Sequence, residues 1–103
     1  VKHVPIKEAI QKKYNLPVYF DHDNNCAALA EKLFGIGKAE QDFLLLAVSN
    51  GIGSGFVCGG EVFHSHRGFE TELGHVSINC KGLQCSCRNR SCLEMYASSY
   101  VVR

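Results

Sequence analysis

Three cysteines within eight residues, Cys85, Cys87 and Cys92, follow His75, with nine positions between His75 and Cys85; this grouping constrains the chain more than any other feature. Four such donors can converge on one point. Three thiolates and one imidazole form the closed tetrahedral set that zinc takes in structural sites, and no position remains for a substrate water. The expected metal is therefore structural zinc held by His75, Cys85, Cys87 and Cys92. Its binding would pin a loop of more than ten residues that has too few apolar side chains to order itself. Cys80 lies within reach and is an alternative to His75 as fourth ligand. Exposed or oxidised thiols without metal are the plain alternative.

Six cysteines in 103 residues also fit a secreted, disulfide-stapled domain. Spacing argues against that reading. Cys26 and Cys58 stand alone in apolar segments, where a thiol behaves as a small hydrophobe. No apolar run approaches the roughly 20 residues of a membrane span, and no leader opens the chain, so a cytoplasmic location without membrane contact is expected. Eleven basic residues against ten acidic ones leave no electrostatic footprint for nucleic acid. The chain opens on Val1 and closes just after the first turn of an expected helix, which reads as a piece of a longer protein.

Apolar positions Ile6, Ala9, Ile10 and Tyr14 recur at helical spacing over residues 4–14, with Pro5 tolerated in the first turn. Residues 16–20 read as a short buried strand that delivers the chain to Asp21-His22-Asp23-Asn24-Asn25. A second helix follows from Cys26 to a stop at Gly35, with Asp23 or Asn24 as its N-cap. Residues 43–48 are all apolar, as expected of a central strand covered on both faces. Two further strands, 56–58 and 61–63, flank Gly59-Gly60, a pair suited to a two-residue hairpin turn. Residues 64–73 read as loop, 75–78 as a strand, 79–91 as irregular, and 93–100 as a helix. The pattern is α/β.

Four motifs stand in order: Asp21-His22-Asp23-Asn24-Asn25 before a helix, Gly51-Ile52-Gly53-Ser54-Gly55, Glu72-Leu73-Gly74-His75, and Cys85-Ser86-Cys87 through Cys92-Leu93-Glu94. From about Pro17 to Ser98 this resembles the ROK family, which contains sugar kinases and NagC/XylR/Mlc-type transcriptional repressors. The resemblance implies an actin-like ATPase (ribonuclease H-like) fold in two lobes, with sugar in the cleft and a zinc-pinned loop on one wall. Residues 1–103 would be an internal fragment: 1–34 the end of the N-terminal lobe and the hinge, 42–103 the start of the C-terminal lobe with the zinc loop. Asp23 matches the aspartate that serves family kinases as general base on the sugar hydroxyl. Glu72, His75 and Glu94 match residues that hydrogen-bond sugar hydroxyls, with the second ring nitrogen of His75 on zinc. His22 stands beside Asp23 in the same substrate-binding segment. Gly51, Gly53 and Gly55 match a phosphate-binding hairpin.

Each residue also has a plainer role. Asp23 could only cap a helix, Glu72 and Glu94 could be solvated carboxylates, and the glycines could serve only a tight turn. His3, His64 and His66 are read as surface histidines.

The departures from the family pattern favour its regulator branch. His22 replaces the Asn of family kinases, Ser49-Asn50 replaces a Gly-Thr pair, Glu70-Thr71-Glu72 replaces Ala-Gly-Glu, and Arg88 and Ser91 stand where glycine is usual. A sugar pocket kept without phosphoryl transfer implies a sugar or sugar-phosphate effector. DNA would then be bound only through a helix-turn-helix domain outside this chain, in a homo-oligomer. The alternative is an active sugar kinase using ATP and magnesium, with Asp23 catalytic. A zinc-stabilised interaction module is a third reading.

Overall fold

The computed structural model of the chain describes residues 5–66 and 72–99. His3, Val4, Glu70, Thr71 and the expected helix end at Tyr100 lie outside the described residues. Helix α1 runs Ile6–Tyr14 and ends at Asn15, whose left-handed conformation (φ 52°) lets its N–H cap the carbonyl of Gln11. None of its residues is buried, and Ile6, Ile10 and Tyr14 form an apolar stripe that the described residues leave exposed.

Residues 16–20 form no strand. The described strands pair only with one another between residues 43 and 62, so this extended stretch has no ladder to join, and Pro17 has no N–H to give one. Tyr19 is 91% exposed. Helix α2, Asp23–Phe34, begins three residues before Cys26, with His22 at the N-cap in extended conformation and Asp23 already in the first turn. The N-cap expected at Asp23 or Asn24 is thus displaced by one residue or two. Gly35 ends the helix as expected.

Strands β1 (Phe43–Val48), β2 (Ile52–Cys58) and β3 (Glu61–Val62) form an antiparallel sheet in the order β1-β2-β3. Among the described strands the central one is β2, not β1. There β1 is an edge with one open face: Leu44, Leu46 and Val48 are each about half exposed, while the alternate residues turn inward. The described residues thus cover only one face of this continuous apolar run. Gly59 and Gly60 take φ of 60° and 82°, the turn geometry that glycine permits, and the Asp42 carboxylate accepts the Gly59 N–H at 2.8 Å.

The glycine run is itself strand, because α2 lies directly across it. A Cβ on Gly55 would fall 2.8 Å from the Ala28 methyl and against the Asn24 carbonyl. Ala28, Ile52 and Val57 make the core of this helix-on-sheet unit.

The expected strand at 75–78 is also replaced. Leu73–His75 curls into a 3-10 turn, closed by His75 N–H on Glu72 O and Val76 N–H on Leu73 O, and only Ser77 bridges, to Cys92. Beyond the cysteines, the helix expected over 93–100 is a single turn, α3, Glu94–Ala97.

Candidate metal centre and adjoining carboxylates

The 3-10 turn aims His75 at the Cys-rich loop, and backbone bonds fold that loop back on itself. Cys85 N–H reaches Asn89 O at 2.8 Å, Arg88 N–H reaches Cys85 O at 3.0 Å, and Ser91 N–H reaches Leu83 O at 2.5 Å. To make these turns Arg88 and Ser91 adopt φ of 76° and 57°, a left-handed conformation that suits glycine.

The donor atoms of His75, Cys85, Cys87 and Cys92 all lie within 4.8 Å of one another. Cys85 Sγ is 3.8 Å from His75 Nδ1 and Cys87 Sγ is 3.5 Å from Cys92 Sγ. Ligands about 2.0–2.3 Å from a tetrahedral ion stand roughly 3.5–3.8 Å apart, so the donor set fits a zinc-sized ion. Cys80 is exposed and outside the cluster.

The thiols influence one another strongly. The Cys87 backbone hydrogen bond, with help from the Cys87, Cys92 and His75 side chains, pulls the Cys85 thiol down to about 6 against the opposing effect of burial. Burial, then the Cys87 and Cys85 neighbours, pushes Cys92 up to about 12. One thiolate forms readily and makes the next costly, a penalty that a bound cation removes.

His75 faces two ways. Its Nδ1 points at the thiols, and its Nε2 lies 3.9 Å from Glu72 Oε2, a carboxylate that is largely exposed. Glu94, two residues after Cys92, accepts the Ile52 N–H on Oε2 at 3.0 Å. Gly51 and Gly74 both abut that carboxylate, at 2.8 and 3.2 Å from the position a Cβ would take. Asn24, next to Asp23, lies against Gly53. The start of β2, residues 51–53, is therefore where the first turn of α2, the 3-10 turn and α3 meet. Asp23 reaches this junction through its neighbour, with its own Oδ1 taking the Asn24 N–H at 2.9 Å.

Some contacts near the candidate residues were only partly foreshadowed by the sequence. Asp21 accepts His22 N–H and the side chain of buried Asn25, and pairs with His64 Nε2 at 2.6 Å. Burial raises the Asp21 carboxyl, but these partners, His64 foremost, hold it below the usual carboxylate range. His64 is a surface histidine, as expected, but one paired with Asp21. The four-residue step from Asp21 to Asn25 was a usable hint; the 43-residue step to His64 offered none. Tyr96 closes the loop from the other side: its hydroxyl accepts Leu83 N–H at 3.0 Å and lies 3.1 Å from Ser91 Oγ.

An apolar groove of about 370 Å³ lies between the end of α2 and β1, lined by Ile36, Phe43 and Leu45 among others. None of the residues expected to bind metal, sugar or phosphate lines it. No helix among the described residues is long and apolar enough to cross a membrane.

The chain is similar to known proteins over nearly its whole length. A family model described as the ROK family matches residues 1–102. The xylose repressor of Bacillus subtilis (strain 168) is 38% identical over 97 residues, covering 94% of this chain and 25% of the repressor. Among solved structures, a ROK hexokinase from Thermus thermophilus superposes with a TM-score of 0.89 at 38% identity, over 96% of this chain and 34% of that one. A ROK family transcriptional regulator described as a homolog of the E. coli Mlc protein gives 0.88 at 38% identity, over 100% and 26%. The chain spans about a quarter of the curated repressor it matches.

Proposed function

The chain belongs to the ROK family, and from that premise we propose that it is the sugar-sensing, zinc-containing region of a transcriptional regulator. The supporting observation is the convergence of the metal loop, the Glu72–His75 turn and the first turn of α2 on residues 51–53. In this reading His75 binds zinc through Nδ1 and offers Nε2–H to a sugar hydroxyl beside Glu72. Glu94 uses Oε2 to hold Ile52 and Oε1 to accept a second hydroxyl. His22 and Asp23 complete the contacts from α2. When bound, zinc supplies no reaction chemistry; it fixes the loop that carries Glu94. Occupancy by a sugar or sugar phosphate would bias the closure of two actin-like lobes, of which 1–34 would be the end of the first with the hinge and 42–103 the start of the second, and so alter DNA affinity in a helix-turn-helix domain outside this chain. The protein would act as a cytoplasmic homo-oligomer.

Calorimetry on the intact protein with simple hexoses, pentoses and their phosphates tests the proposal. One of them is expected to bind, and Glu94→Gln to weaken it about tenfold or more, the scale of a lost hydrogen bond to a charged group. Failure of all of them to bind overturns it.

A second reading, an ATP- and magnesium-dependent sugar kinase, is favoured by the likeness to the Thermus thermophilus hexokinase and by the presence of Asp23 as a candidate base. Gly51, Gly53 and Gly55 would then serve phosphate. Against this, Gly53 and Gly55 already have a packing role under α2, and the Ile52 N–H is taken by Glu94. A coupled ATPase assay with glucose, N-acetylglucosamine and allose separates the two readings.

A further inference from the structure

The Asn89 side chain sits where two metal-ligating residues meet. Its Nδ2 lies 3.2 Å from the carbonyl oxygen of His75, 2.8 Å from Ser77 Oγ and 3.7 Å from Cys92 Sγ. A carbonyl can only accept, so the nitrogen of the amide, rather than its oxygen, must face this group. Ser77 Oγ in turn donates to Arg90 O at 2.7 Å, leaving its lone pairs for the amide.

Cys92 Sγ lies 3.5 Å from that same His75 carbonyl, a contact in which the thiol is the donor. The Asn89 amide has two N–H groups for three acceptors. Ser77 Oγ, at 2.8 Å, takes one, and the other lies between the His75 carbonyl and Cys92 Sγ, where it can bridge the two ligand-bearing segments.

We propose that Asn89 is a positioning residue of the metal centre: its amide, between the His75 carbonyl and Cys92 Sγ, donates to the ligating sulfur and ties it to the backbone of the other ligand. The inference rests on the zinc reading. A hydrogen bond to a ligating sulfur withdraws electron density from it and fixes its orientation, the role that groups behind the ligands commonly play in metal sites.

The test uses the intact protein, stripped by chelator and titrated with Co²⁺, whose thiolate charge-transfer absorption reports the sulfur ligands directly. Wild type is expected to take one equivalent with tetrahedral absorption; if it takes none, the metal reading itself fails. Asn89→Ala and Asn89→Asp, the latter of nearly the same shape but without N–H, are expected to shift the charge-transfer band and weaken Co²⁺ and Zn²⁺ about 10–100-fold in chelator competition. Asp is expected to be the worse of the two, since it adds a carboxylate beside the thiolates. Asn89→Gln, which keeps a donor, should recover part of the affinity. Gln84→Ala is the control: its amide holds Arg88 O in the same loop at 3.0 Å without touching a ligand, so the band should stay in place. Wild-type cobalt binding with an unchanged band and affinity in both Asn89→Ala and Asn89→Asp overturns the proposal and leaves the zinc reading standing.

Discussion

The sheet with α2 and the Cys-rich loop are held together by different physics. In the first, order comes from a hydrogen-bonded ladder and close packing: β2 pairs on both sides, α2 lies across Gly53 and Gly55, and Ala28, Ile52 and Val57 are buried. In the second, the buried side chains are Cys85, Ser91 and Cys92, and backbone bonds together with side-chain bonds from Asn89, Ser77 and Tyr96 tether the loop. A helix on a sheet tolerates many apolar sequences. A loop with so few buried apolar side chains does not, and three of the four donors that could hold a metal ion lie in it, with His75 facing them.

The sharpest way to break this contrast is a chelator, which on the zinc reading removes the metal. Apparent binding free energies of structural zinc run to about 10–16 kcal/mol, so chelation should expose the amides of residues 75–93 to hydrogen exchange while those of β1 and β2 stay protected. Equal loss of protection in both regions would show that the loop and the sheet form one cooperative unit. If sugar binds as proposed, its binding should disappear together with the loop's protection, because Glu94 stands two residues after Cys92.

A smaller effect is expected from the opposite side. Gly55→Ala drives a methyl into Ala28 and the Asn24 carbonyl, and overpacking of this kind costs about 1–3 kcal/mol. Denaturant unfolding should register that loss, with zinc affinity unchanged.

The smallest concerns Asp21 and His64, an exposed pair worth under about 1 kcal/mol. Because the folded Asp21 carboxyl sits below its ordinary value of 3.8, its contribution is complete above that value and fades as pH falls through the lower folded one. His64→Ala should move the carboxyl's titration upward, as followed by carboxylate NMR, with little change in stability at neutral pH.

The sequence carried the local features well. The Gly59-Gly60 turn, the stop at Gly35, the α1 stripe and the four donors of the cluster were all legible because each depends on spacing or on one residue's conformational freedom. The strand expected at 16–20 was not, since a ladder needs a partner and none of the described strands lies beside it. The strand expected at 75–78 yielded to a 3-10 turn for a similar reason: alternation describes a face, but His75 has to turn toward sulfurs ten and more residues away.

What the amino-acid order alone determined is the inventory: which side chains can ligate, which turns glycine permits, and which stretches are apolar enough to be covered. Tertiary structure decided who meets whom. That β2 rather than β1 is central, that Glu94 holds the Ile52 N–H 42 residues away, that Asp21 finds His64, and that the Asn89 amide bridges His75 and Cys92 are all contacts between distant or differently folded segments. Periodicity and spacing act over a few residues, whereas these pairings are set by how α2, the 3-10 turn and α3 pack against the first residues of β2.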